Sequence, residues 1–168
     1  RLDIASEKIS VLTQTTLSVD EVERIIARIR ERYPQLKTQK KDDICYATQN
    51  RQDAVKALVA QCDIVIVVGS RTSSNSNRLR EIAEKAGLPG YLVDGPEDLR
   101  AEWFHGRNCV GVTAGASAPE LLVQRVVQQL VTWGAEPASE LPGREEHVVF
   151  ALPKPLREAR NPQPVAGS

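Results

Sequence analysis

The feature that most constrains this chain is the run Ile64-Val65-Ile66-Val67-Val68, closed by Gly69 and followed by a polar turn from Ser70 to Asn77. An unbroken β-branched run of this length reads as a strand buried on both faces, and such strands belong to parallel sheets covered by helices. Beyond the turn, Leu79, Ile82, Ala83 and Ala86 recur at helical intervals until Gly87 supplies a stop. The turn therefore sets Ser73, Ser74, Asn75, Ser76 and Asn77 at a helix N-terminus, where free backbone N–H groups and the helix dipole favour an anion. Helix capping alone is the plainer reading, since Ser and Asn are preferred caps. One cap needs one residue, however, and this turn offers five, which leaves donors for a phosphate.

A second turn repeats the pattern. Cys109-Val110-Gly111-Val112-Thr113 reads as a strand, Ala114-Gly115-Ala116 are small, and Ser117-Ala118-Pro119-Glu120 has capping-box spacing. Leu122, Val123, Val126, Val127, Leu130 and Val131 then form a helical stripe closed at Gly134. Two such units in one parallel sheet bring both turns to its carboxyl edge, where ligands of open α/β sheets bind. Ser73, Ser74, Asn75 and Ser117 then become candidates to converge on one anion, with capping the alternative for Ser117.

Upstream, Lys8 to Leu12 suits a short strand ending in the hydroxyl-rich turn Thr13-Gln14-Thr15-Thr16. Ser18 and Glu21 have capping-box spacing, and Val22, Ile25, Ile26 and Ile29 give an apolar stripe that continues to Tyr33 before Pro34. The opposite face, with Glu23, Arg24, Arg28 and Arg30 to Arg32, reads as solvated. Gln35 to Asp43 is polar and reads as a connector and domain boundary. From about Ala47, Ala54, Val55, Leu58, Val59 and Cys62 follow helical spacing, which sets Cys45 just before a helix N-terminus. Such a position favours negative charge on sulfur, the form that attacks or binds metal, although by itself a lone Cys is more often inert.

Cys62 on the apolar stripe and Cys109 at the head of a strand both read as core. Three cysteines too widely separated for any CxxC pair argue against a disulfide framework and a self-contained zinc site, so all three are expected as reduced thiols. Tyr91-Leu92-Val93 suits a short strand, Gly95-Pro96 a turn before a short helix, and Trp103 and Phe104 packing anchors. His105 and His147 read as surface or structural residues. Beyond a linker at Ala135 to Leu141, His147 to Leu152 reads as a late strand and Pro153 to Ser168 as a tail.

With 168 residues and 41% hydrophobic composition the chain can bury a core of about one domain. Twenty-two basic residues balance twenty-two acidic ones, so no net field recruits nucleic acid or an anionic membrane surface. No apolar stretch reaches the roughly 18 residues of a membrane span, and no signal-peptide pattern leads the chain, which points to the cytoplasm. The chain opens on Arg1-Leu2-Asp3 and contains no Met, so it is expected to be a piece of a longer protein.

Taken in order, Thr13-Gln14-Thr15-Thr16-Leu17-Ser18, Lys41-Asp42-Asp43-Ile44-Cys45-Tyr46-Ala47-Thr48, Gly69-Ser70 with Ser73-Ser74-Asn75-Ser76-Asn77-Arg78-Leu79, Gly111-Val112-Thr113-Ala114-Gly115-Ala116-Ser117-Ala118-Pro119 and Gly143-Arg144-Glu145-Glu146 resemble successive signatures of the 4-hydroxy-3-methylbut-2-enyl diphosphate reductase family. The likeness spans nearly the whole chain but only the carboxyl-terminal half of the family. It implies three α/β domains around a 4Fe-4S cluster, each giving one cysteine. This chain would then hold one α/β domain, a three-layer parallel sheet with helices on both faces, plus partial segments of two neighbouring similar domains. On that pattern 1–40 end the second domain, 41–134 form the third, and 135–168 are a linker and tail returning to the missing first.

The resemblance also implies that Cys45 is a cluster ligand, that Ser73, Ser74, Asn75 and Ser117 hold the substrate diphosphate, and that Thr15 stands beside the substrate alcohol in the proton-delivery network. The family reaction is a two-electron reductive dehydroxylation yielding isopentenyl and dimethylallyl diphosphate, with ferredoxin or flavodoxin as electron donor and no nucleic-acid or membrane partner. One thiolate cannot hold such a cluster, and the two further cysteines, the histidines of the diphosphate clamp and the proton-delivering glutamate are missing from this chain. The isolated chain is therefore expected to be inactive and clusterless. Two readings of other classes stand beside this one: a non-catalytic phosphate-binding α/β module, and a thiol redox sensor at Cys45, which would need a resolving cysteine near it.

Overall fold

Five residues with no solvent exposure at all, Ile64 to Val68, form the axis of the structure. The computed structural model describes residues 8–38 and 44–141. In chain order these form β1 (Ser10–Val11), α1 (Val19–Arg32), β2 (Lys37–Thr38), α2 (Tyr46–Val59), β3 (Ile64–Val68), α3 (Ser74–Lys85), β4 (Gly90–Val93), two 3₁₀ turns (Pro96–Asp98 and Ala101–Phe104), β5 (Val110–Ala114) and α4 (Glu120–Thr132). β3 lies between β4 and β5, parallel to both, with Val65 opposite Gly90 and Gly111, and Val68 opposite Val93 and Ala114.

Alternation along β3 distributes its side chains to two helix layers. Val65 and Val67 pack with Val55 of α2 and with Leu79 and Ala83 of α3. Ile64, Ile66 and Val68 pack on the other face with Val126 and Leu130 of α4 and with Leu99. The three-layer parallel α/β arrangement expected from the uninterrupted β-branched run is thus the observed one. Burying each of these aliphatic side chains contributes about 1.5–3 kcal/mol, so β3 is the largest single block of apolar burial.

Trp103 and Phe104 pack against the α4-side core as expected. The Trp103 ring also stacks on Tyr91 with centroids 3.9 Å apart and planes within 2°. Gly87 and Gly134 take positive φ just past α3 and α4, where the left-handed conformation ends a helix.

Several local expectations need correction. Lys37 and Thr38, read as connector, are a strand paired in parallel with β1, and Lys37 N–H donates to the Ile9 carbonyl at 2.9 Å. Ser18 is the α1 N-cap, yet its side chain makes no capping bond. Glu21 instead points to Arg78 and Lys85 of α3, so a tertiary ion pair replaces the capping box. On the α1 stripe only Val22 is buried, and Ile25 is 57% exposed. α4 starts at Glu120 with Pro119 as N-cap, so Ser117 lies outside the helix and caps nothing. Cys109, expected in the core, is exposed, because it is the residue just ahead of β5 and stands at the open end of the sheet. The expected strand at His147 to Leu152, the tail and the Gly143-Arg144-Glu145-Glu146 motif lie outside the described residues, as do residues 39–43.

Candidate functional site

β3 feeds α3 on one face of the sheet and β5 feeds α4 on the other, so the loops leaving their carboxyl ends diverge from a common crevice. Open α/β sheets bind ligands at such a divergence. The two loops are tied at their roots: Gly69 N–H donates to the Val93 carbonyl and Gly115 N–H to the Val68 carbonyl, each at 2.9 Å. Their close approach depends on missing side chains. A Cβ on Gly115 would stand 2.2 Å from Ser76 Oγ and 3.8 Å from Asn75 Nδ2, and one on Gly69 would stand 2.4 Å from Ser76 Oγ. Ser76, 1% exposed, is therefore the filler between the two glycines.

The polar residues at this crevice have different duties. Ser73 is the N-cap of α3, and its Oγ accepts from Ser76 N–H at 3.3 Å. Asn77, also expected in the polar turn, spends its amide on the carbonyls of Arg71 and Ser73. Asn75 is 7% exposed, and neither its Nδ2 nor its Oδ1 has a hydrogen-bond partner among the described residues. Burying an unpaired amide costs roughly 1–3 kcal/mol, which a fold tolerates where something else is to be bound. Ser117 is exposed, in a tight turn closed by Ala118 N–H donating to the Gly115 carbonyl at 3.0 Å.

A third loop joins from the amino-terminal segment. The Gln14 to Leu17 turn, closed by Leu17 N–H donating to the Gln14 carbonyl, carries Thr15 and Thr16. Thr16 Oγ1 and Ser74 Oγ share a hydrogen bond of 2.9 Å, which links this turn to the start of α3. On its other side Cys45 N–H donates to the Thr15 carbonyl at 3.1 Å. Cys45 is exposed at the N-cap of α2, and its thiol makes no capping bond. Among the described residues no three His, Cys, Asp or Glu stand together as a metal site. Among the described residues Cys45 therefore stands as an exposed thiol that is not part of a metal-binding group.

The structure therefore brings together the turn of Thr15 with Cys45, Ser74 with the same turn, and Asn75 with the Gly115 loop that leads to Ser117. Three residues have supporting duties that sequence reasoning did not assign. Thr16 bridges to Ser74, Ser76 fills the gap between the loops, and Gln52, 1% exposed, donates from Nε2 to the Leu17 carbonyl at 2.9 Å. Only Gln52 left a signal: Thr48, Gln52 and Val55 share the buried face of α2, and a polar residue on such a face needs a partner.

The family model for LytB protein matches residues 1–131. The chain belongs to the LytB family. Curated LytB relatives described as 4-hydroxy-3-methylbut-2-enyl diphosphate reductase include one from Pseudomonas fluorescens strain Pf0-1, 59% identical, and one from Acinetobacter baylyi, 57% identical. Each match runs over 151 residues, 90% of this chain and 48% of the relative. The chain spans about half the length of the curated relatives it matches. A solved structure of E-1-hydroxy-2-methyl-but-2-enyl-4-diphosphate reductase from Plasmodium falciparum superposes with a TM-score of 0.78 at 31% identity, covering 91% of this chain and 49% of that one. A second, of (E)-4-hydroxy-3-methyl-but-2-enyl diphosphate reductase, gives 0.52 at 30% identity, covering 76% and 44%. The α/β architecture of this LytB chain is accordingly that of its reductase relatives. No described helix is long and apolar enough to cross a membrane.

Proposed function

We propose that this chain furnishes one side of the active site of a 4-hydroxy-3-methylbut-2-enyl diphosphate reductase. The reading rests above all on Asn75, whose buried amide lacks hydrogen-bond partners among the described residues at the N-terminus of α3 and faces the loop of Gly115. A diphosphate seated there would accept from Asn75 Nδ2 and meet the α3 dipole. Ser73 spends a lone pair on its cap and keeps its hydroxyl hydrogen to donate. Ser74 and Thr16 share one hydrogen bond and so keep one donor hydrogen between them for the ligand. Ser117, spent on no cap, donates from the opposite loop.

Cys45 would serve as this chain's ligand to a 4Fe-4S cluster, which when bound would pass two electrons, one at a time, from an external donor to the reductive dehydroxylation. The overall change consumes two electrons and two protons, breaks the substrate's C–O bond and releases water. Thr15, held to the Cys45 backbone, keeps its Oγ1 proton beside the substrate alcohol and relays it to the departing oxygen. On this reading residues 1–40 close the second domain, 41–134 make the third, and 135–168 return to the first. A small ferredoxin or flavodoxin as electron donor, and a cytoplasmic location, belong to the same proposal.

The test uses the full-length protein that carries this sequence, purified anaerobically. Cys45→Ser is expected to abolish both cluster iron and substrate reduction while inorganic pyrophosphate still binds. Unchanged iron content and turnover in that variant would overturn the reading and favour a phosphate-binding module without chemistry.

A further inference from the structure

The sulfur atoms of Cys62 and Cys109, 47 residues apart in sequence, stand 3.4 Å from one another, with Cys109 Sγ–H directed at Cys62 Sγ. We propose that these two thiols are a two-electron oxidation site that closes to a reversible disulfide, at the end of the sheet opposite the loops of Asn75 and Ser117. The approach is built into the backbone. Asp63 N–H donates to the Cys109 carbonyl at 2.9 Å, while Asp63 Oδ2 accepts from the N–H groups of Asn108 at 2.8 Å and Cys109 at 3.0 Å. Three hydrogen bonds from one residue thus hold the α2–β3 turn against the segment entering β5, and the register continues with Ile64 opposite Val110. A disulfide needs the sulfurs at about 2.05 Å, so the remaining gap is within reach of side-chain rotation and small backbone adjustment.

The two partners are not equivalent. Cys109 is exposed, whereas Cys62 is partly covered and packs over Gly111, where a Cβ would stand 3.1 Å from its sulfur. Burial first, and the hydrogen bond with Cys109 second, push the Cys62 thiol up to about 12. Cys109 therefore meets the oxidant. With a peroxide, the Cys109 sulfur attacks one oxygen, the O–O bond breaks, and sulfenic acid and water result. Cys62 then attacks the Cys109 sulfur as its proton passes to the departing hydroxide, forming the S–S bond and a second water. Two thiols lose two electrons in all, and one peroxide is reduced to two waters.

The test treats the full-length protein that carries this sequence with dilute hydrogen peroxide, blocks residual thiols and digests with trypsin. Each cysteine of this sequence falls in its own peptide: 42–51, 57–71 and 108–125. Peptides 57–71 and 108–125 are expected as one species, two hydrogen atoms lighter than their sum and separated by dithiothreitol, with 42–51 unlinked. Among these three peptides, the same oxidation in guanidinium should favour the linkage of 42–51 to 57–71, because Cys45 and Cys62 are the pair closest in sequence and close the shortest loop. A native digest that matches the unfolded one, or in which Cys109 is oxidised to sulfinic acid without linkage, overturns the proposal. In Cys62→Ser, dimedone should trap a sulfenic acid at Cys109 that the unsubstituted chain does not accumulate; equal labelling of the two would count against it.

Discussion

Cys45 N–H donates to the Thr15 carbonyl at 3.1 Å, which binds the thiol at the head of α2 and the hydroxyl turn before α1 into one unit. With the Thr16 to Ser74 bond beside it, that contact couples two sequence-distant segments to the start of α3. The elements around the crevice therefore succeed or fail together.

Asn75→Ala should separate binding from stability. Its amide makes no internal hydrogen bond among the described residues, so its loss is expected to leave unfolding free energy unchanged or raised, by up to the roughly 1–3 kcal/mol that burying the unpaired group costs. Pyrophosphate affinity, measured by calorimetry, should fall about tenfold or more, the scale of a charge-assisted hydrogen bond. A variant that unfolds easily yet binds as before would contradict the role given to Asn75.

Gly115→Ala should wedge the two loops apart, since its Cβ would meet Ser76 Oγ at 2.2 Å in a buried setting. A cost of about 1–3 kcal/mol is expected from urea unfolding. Adding Ser76→Ala removes that oxygen and leaves the Ser76 Cβ at an ordinary 3.5 Å, so the double variant should regain most of the loss. A double variant no more stable than the single one would show that the crowding lies elsewhere.

Acid should loosen α1 from α3. The hydrogen bond from Lys85, with the charges of Lys85, Arg78 and Arg24 behind it, holds the Glu21 carboxyl below the usual glutamate range against a smaller upward push from burial. A lowered carboxyl contributes stability that is present above its unfolded value and lost as the pH falls through the folded one. The expected outcome is a stability difference between wild type and Glu21→Gln that is present at neutral pH and disappears only as the pH falls below the usual glutamate range, through the lowered folded value. A difference independent of pH would refute the ionic account.

Alkylation should rank the thiols. With its thiol pushed up to about 12, Cys62 is expected to react with iodoacetamide at pH 8 at least about tenfold more slowly than Cys45 or Cys109, which are exposed. Keeping that sulfur neutral contributes stability at ordinary pH, lost only as the pH climbs toward the raised value. Time-resolved peptide mapping reads the order directly, and early labelling of Cys62 would refute it.

The architecture was legible where one side chain's neighbours are set by period alone. The β3 run, the α3 stripe of Leu79 and Ala83 and the α4 stripe of Val126 and Leu130 all lie in the core as their spacing required. Two-residue strands such as Lys37–Thr38 have no period to read, and their pairing with β1 depends on a tertiary register. Glu21 satisfied the capping-box spacing but met stronger partners across the fold in Lys85 and Arg78. Cys109 was misjudged because the residue before a buried strand inherits none of its burial. At the crevice, Asn75 was visible as one polar residue among five. That it alone would be buried without partners depends on Gly115, forty residues away, and no local pattern encodes that.

The placement of Asp63 also makes the molecule easy to instrument. Two sulfurs clamped side by side at the far end of β3 and β5 offer a ready attachment point for a dithiol-bridging fluorophore such as dibromobimane. In Cys45→Ser, which removes the exposed thiol beside the Thr15 turn, a dye seated there would report on the folding of the central sheet while leaving the Ser- and Thr-bearing loops chemically untouched.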